Sequence, residues 1–129
     1  MSDLDLKKVL PNYFSEEELS CPCCGVNGTK PASVARLNLL RGELGYALTL
    51  NSAYRCELYN DERGFTQTHA TGQAFDLRVR GLSAFKVLKI ALALGFTGIG
   101  VKQKGSARFI HLDDLGEVFK RPRPWIWSY

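Results

Sequence analysis

The chain of 129 residues has two histidines, His69 and His111, and each lies close to carboxylates. His69 stands in THATGQAFDL, seven residues before Asp76, and His111 stands in FIHLDD, two residues before Asp113. If Gly72 folds the first segment back, His69, Asp76 and His111 meet one divalent ion, a donor set that suits zinc and leaves a fourth position for water. Two neutral imidazoles and one carboxylate leave such a site with a formal charge of about +1, enough to acidify a bound water and polarise a carbonyl. A carboxylate that does not ligate the ion could shuttle a proton to a leaving amine. On an extended strand Asp113 shares a face with His111 while Asp114 points away, which makes Asp113 the candidate. Its alternative role is structural: pairing with Arg108, or orienting His111 as a hydrogen-bond acceptor. Arg55 suits a substrate carboxylate, because its planar guanidinium grips two oxygens at once. Tyr54, Gln67 and Thr68 are candidates for hydrogen bonds from a cleft wall.

Several elements must hold these groups. The opening segment carries Leu4, Leu6, Val9 and Leu10 and is stopped by Pro11. Ser15 before Glu16, Glu17 and Glu18 reads as a capping box, so a short helical turn runs through Leu19. CPCCGVNGTK, residues 21–30, reads as loop. Val34, Leu37, Leu40 and Leu44 place a helix over 33–44, closed by Gly45. Residues 46–50 have strand composition, and the polar stretch 57–68 reads as a surface loop flanking a cleft. In 73–79, Phe75, Leu77 and Val79 alternate with Asp76 and Arg78, which predicts a strand with one face packed and Asp76 on the other. Ser83 caps a second helix ending at Gly95; its Phe85, Val87, Leu88, Ala91, Leu92 and Leu94 are too apolar for a fully exposed surface. Two further strands are expected over 96–101 and 107–112. The alternating prolines of RPRPWIWSY deny it a regular helix, and Trp125 and Trp127 are expected to pack back on the domain as core lids. The pattern is that of an α+β domain with an antiparallel sheet flanked by helices.

Length and a 45% apolar content allow one domain over residues 1–129, with 1–30 as a helical and cysteine-loop segment, and leave no room for a second domain. No repeat or heptad pattern is present. Seventeen Lys and Arg against thirteen Asp and Glu give a net charge of +4, which favours an anionic partner. The basic residues are dispersed and no nucleic-acid-binding motif accompanies them, so an acidic polymer such as a bacterial cell wall fits equally well with nucleic acid on charge alone. No apolar run is long enough for a signal peptide or membrane span, so synthesis in the cytoplasm without membrane insertion is expected. The four cysteines, Cys21, Cys23, Cys24 and Cys56, are expected as free thiols. A structural zinc cluster has the right ligand type there, but the Cys-x-Cys-Cys spacing looks too tight for tetrahedral closure.

At these same residues the chain resembles the M15-type zinc peptidases of bacterial peptidoglycan, the D-alanyl-D-alanine carboxypeptidase and murein endopeptidase group, and most of all their short phage-type and YcbK-like members. The likeness rests on YFSEEELSCPCCGVN, LNSAYRCELYN, QTHATGQAFDLRV, GFTGIGV, FIHLDD and the aromatic finish near Trp127, which together span nearly the whole chain. It implies a hedgehog/DD-peptidase-like fold, one catalytic zinc on His69, Asp76 and His111, and Arg55 as the arginine that orients substrate. The implied partner is the peptidoglycan stem peptide, reached by release or delivery of an endolysin or virion component across the membrane. Some members place an acid three residues before the last histidine ligand; Arg108 stands there in this chain, so that role does not carry over. The competing expectation is a non-catalytic domain that keeps the fold and binds wall peptides or stabilises a phage particle.

Overall fold

A computed structural model describes residues 12–64, 66–118 and 120–129. The expected opening helix up to Pro11 lies outside the described residues. Glu16–Leu19 forms α1, and its start is the expected capping box: the Ser15 hydroxyl accepts from the Glu18 N–H while the Glu18 carboxylate accepts from the Ser15 N–H, both at 3.1 Å. Pro31–Leu44 forms α2, two residues longer at its start than expected because Pro31 is already suited to the first helical turn. Gly45, at φ 85°, closes it in the left-handed conformation.

Among the described residues, five strands make one mixed sheet in the order β1-β2-β4-β3-β5: β1 Leu50–Ser52, β2 Ala74–Leu77, β3 Gly98–Lys102, β4 Phe109–Asp113 and β5 Trp125–Ser128. Neighbours are antiparallel except β3 and β5, which run parallel. That pair modifies the antiparallel expectation: the connection after β4 returns the chain to the free edge of β3 in the same direction as β3. Residues 46–49 are not strand, and β1 begins only at Leu50.

Two elements replace the expected surface loop over 57–68. Helix α3, Glu57–Glu62, is capped by Cys56, whose sulfur accepts the Tyr59 N–H at 3.4 Å, and a 3₁₀ turn spans Thr68–Thr71. Neither shows an apolar period, so pattern reading passes over them. The next helix, α4, spans Gly81–Ala93 and starts two residues before Ser83. Ser83 is not its cap; the Ser83 hydroxyl pairs with that of Tyr46 at 2.7 Å.

The two faces of the sheet do different work, as the two-residue strand period requires. Phe75, Leu77, Ile110, Leu112 and Ile99 point to one face and form the core with Leu37 and Leu40 of α2 and Val87 and Ala91 of α4. Asp76, His111 and Asp113 point to the other, brought side by side by the pairings Asp76↔His111 and Ala74↔Asp113. Helix α4 is not fully exposed, as expected: it buries an Ala84, Val87 and Ala91 stripe, while Leu82, Phe85 and Leu92 stay 60% or more exposed.

Candidate metal centre and cleft

His69 arrives on the 3₁₀ turn that Gly72 terminates. Gly72 sits at φ 77°, and a Cβ there would meet the Gly28 carbonyl oxygen at 2.1 Å, so a glycine is required on both conformational and steric grounds. The turn aims the His69 Nδ1 at the Ala53 carbonyl, 2.8 Å away, and the Nε2 at Asp76 Oδ1, 3.2 Å away. His111 Nδ1 approaches the same carboxylate oxygen to 3.1 Å. One donor atom from each of His69, Asp76 and His111 lies within 4.8 Å of the other two.

The outward nitrogens decide what this cluster suits. His69 gives its Nδ1 hydrogen to Ala53, and His111 Nε2 lies 2.7 Å from Asp113 Oδ2, where its hydrogen belongs. In the neutral rings the nitrogens facing Asp76 carry lone pairs, so the contacts are satisfied either by protons on those nitrogens, as hydrogen bonds to the carboxylate, or by one metal ion in their place. The three donors fit a zinc ion in type and number, with room for a further ligand on the cleft side.

The ionisation of the cluster follows. Burial alone would raise the Asp76 carboxyl, but hydrogen bonds from His111 and His69, with their charges, hold it well below the usual carboxylate range. Burial presses the His111 imidazole down, yet hydrogen bonds to Asp113 and Asp76 and their charges outweigh it and raise the pKa. Asp113 is also held low, by His111 and Arg123 against the effect of burial.

Asp113 is fully buried. Its Oδ2 receives His111 Nε2 and Arg123 Nη2, at 2.7 and 2.8 Å, and its Oδ1 receives Arg123 Nε at 2.9 Å and the Leu115 N–H at 3.3 Å. With both oxygens engaged and none exposed, this placement fits the orienting role and not a proton shuttle to a substrate. The arginine that pairs with it is Arg123; Arg108 instead donates to the Gly105 carbonyl at 2.8 Å. Asp114 faces the other way, accepting from the Ser33 hydroxyl at 2.8 Å.

Two glycines of β3 clear this face. A Cβ on Gly98 would stand 2.2 Å from Asp113 Oδ1, and one on Gly100 would stand 2.5 Å from Trp127 Nε1. Trp127 uses the space to lie 5.1 Å from the His111 ring, centroid to centroid. Trp125 and Trp127 thus border the cleft from the edge strand, and Trp125 is 55% exposed, contrary to a role as core lids.

Around the cluster opens a cleft of about 840 Å³. Residues 12–113 match the profile of the peptidase M15 family. The chain belongs to the peptidase M15 family. With the His69, Asp76 and His111 cluster, membership supports a zinc metallopeptidase in general terms. No curated protein matches the chain.

On the M15 scaffold the remaining candidates separate. Arg55 and Thr68 line the cleft with Asp76. Burial presses the Arg55 guanidinium down and the Asp76 charge works against that. Tyr54 is not in the cleft lining; its ring packs on Gly28, where a Cβ would come within 2.5 Å of it. Gln67 is occupied in stitching the 57–67 segment, donating to Asp61 at 2.7 Å and accepting from Asn60 at 3.2 Å. Sequence reasoning missed Arg123, Lys102 and Tyr129, which also line the cleft. For Arg123 a signal existed: a carboxylate destined for burial needs a cation, and RPRP is the nearest basic run downstream. Sequence reasoning also set the cysteines aside on loop spacing alone, whereas the fold gathers Cys21, Cys24 and Cys56, with one sulfur of each within 4.8 Å of the others.

Proposed function

We propose that this M15 member is a zinc-dependent peptidoglycan peptidase that hydrolyses an amide bond in the murein stem peptide or its cross-link, as a DD-carboxypeptidase or endopeptidase. The observation that carries the reading is the convergence of His69 Nε2, Asp76 Oδ1 and His111 Nδ1 at the floor of an open, cationic cleft. Zinc held by these residues supplies a Lewis acid that polarises a carbonyl and makes water nucleophilic near neutral pH. The chain's own groups do the rest. The Ala53 carbonyl and Asp113 hold the two imidazoles in the ligating tautomer. Arg55 grips a substrate carboxylate, either the terminal one left by D-alanine or one along the stem. Trp127, against His111, shields that side of the reacting centre from solvent. Besides Arg55, the described lining includes Lys102, Lys120, Arg121 and Arg123, and this positive field, with the net charge of +4, favours an anionic wall polymer and weakens with salt. The site of action is the bacterial cell wall, reached in the manner of a phage endolysin or virion component.

Incubation of the zinc-loaded protein with defined muropeptides, followed by mass spectrometry, tests the reading. Loss of a terminal D-alanine identifies a carboxypeptidase, and separation of cross-linked dimers identifies an endopeptidase. Intact substrates with zinc bound would reject hydrolysis.

One observation favours a second reading, a domain that binds wall peptides without cleaving them. Among the described lining residues Asp76 is the sole carboxylate, so no second acid stands ready to move a proton. Saturable binding of muropeptides without turnover would select this reading.

A further inference from the structure

A second set of metal-ligating side chains lies outside the cleft. Cys21 and Cys24 belong to one tight turn: the Cys21 N–H donates to the Val26 carbonyl at 2.8 Å, the Gly25 N–H donates to the Cys21 carbonyl at 2.9 Å, and Gly25 takes φ 73°. Two residues between cysteines, closed by a glycine in the left-handed conformation, is a spacing that turns both sulfurs to one side. Cys56 comes from a segment 35 residues away and meets them as the cap of α3.

Backbone donors reach two of the three clustered sulfurs. The Cys56 N–H donates to Cys21 Sγ at 3.3 Å, and the Tyr59 N–H donates to Cys56 Sγ at 3.4 Å. Bonds of this kind stabilise the charged sulfur over the thiol. Cys23, exposed in the same loop and adjacent to Cys24, brings a fourth sulfur into the neighbourhood of Cys56.

We propose that Cys21, Cys24 and Cys56 bind a thiophilic divalent ion, zinc above all, with Cys23 supplying the fourth thiolate. The site is structural, since four protein ligands leave no open position. Its place in the fold gives it a purpose. The Tyr54 N–H donates to the Leu19 carbonyl at 3.3 Å, the Lys30 N–H donates to the Gly72 carbonyl at 2.8 Å, and Tyr54 packs on Gly28. The cysteine loop therefore braces both the segment that carries Arg55 and the turn that carries His69, and a bound ion locks this brace. A disulfide could join only two of the three clustered sulfurs, whereas a metal engages them all.

Metal analysis of the whole chain, purified under reducing conditions, tests the assignment independently of catalysis. Expected is about two zinc ions per chain, falling to about one both in Cys56→Ser and in His69→Ala/His111→Ala. Cobalt substitution should give an intense near-ultraviolet thiolate-to-metal absorption that survives in the double histidine variant and vanishes in Cys56→Ser. Cys23→Ser should lose metal to a chelator about tenfold more readily or worse. If a variant fails to fold, the wild-type cobalt spectrum and zinc count still decide. No thiolate absorption, a zinc count unchanged in Cys56→Ser, or a disulfide within the cluster would overturn the proposal, whereas one zinc per chain with the thiolate band present would count against the cleft site alone. Loss of peptidase activity with the thiolate band intact would instead count against the cleft reading alone.

Discussion

Asp113 shows how one side chain organises its neighbours. It fixes the His111 ring through Oδ2 and is itself gripped at both oxygens by Arg123, whose side chain is 6% exposed. Asp113→Asn keeps the shape but loses the charge that favours the ligating tautomer; zinc affinity should fall by about 10- to 100-fold in a competitive chelator titration. Asp113→Ala leaves the arginine buried without its partner and should cost about 3–5 kcal/mol in denaturant unfolding. Gly98 is the steric counterpart. Its substitution by alanine drives a methyl into that carboxylate, so we expect about 1–3 kcal/mol of destabilisation and weaker zinc binding together. Unchanged zinc affinity in Gly98→Ala would show that the Asp113 position does not govern His111.

At the scale of elements, the sheet separates stability from chemistry. Leu77 is fully buried on the core face of β2, next to Asp76 on the cleft face. Leu77→Ala should cost about 2–5 kcal/mol in chemical unfolding. Leu92→Ala on α4, 60% exposed, should stay within about 0.5 kcal/mol of wild type. A large loss in the second variant would mean that this apolar face of α4 is covered in solution. Legibility divides along the same line. Strand β2 and helix α2 were readable because their apolar residues recur at the period of their element, as Phe75 and Leu77 do, or Leu37, Leu40 and Leu44. Helix α3 was not, because ELYNDE has no apolar stripe and is held by the Cys56 cap and the side chains of Asn60 and Gln67.

For the molecule as a whole, the buried ionisable cluster couples stability, metal and pH. His111 holds its proton more tightly folded than unfolded, so without metal it stabilises the protein fully below about pH 6.5, and that contribution fades as pH rises through the folded pKa. Asp76 and Asp113 have lowered values; their contribution is complete above about pH 4 and is lost on further acidification. Zinc must displace the His111 proton, so its affinity should climb with pH and level off once that imidazole has titrated. Zinc titrations and melting of the metal-free protein over about pH 4 to 8 check both trends. Affinity independent of pH across that range would exclude His111 as a ligand.

The sequence by itself determined the donor types, their spacing and their side of each strand. HATGQAFD and FIHLDD contain the three candidate ligands, and the two-residue period already sets Asp113 beside His111 and turns Asp114 away, because strand geometry is local. Tertiary structure alone decided the partners. That Arg123 and not Arg108 meets Asp113, that Gly98 and Gly100 make room for Asp113 and Trp127, that β5 joins β3 in parallel, and that Cys56 reaches Cys21 are all contacts between different elements, 10 to 35 residues apart in the chain. Such contacts depend on how the connections close and which edges remain open, and no local period records that.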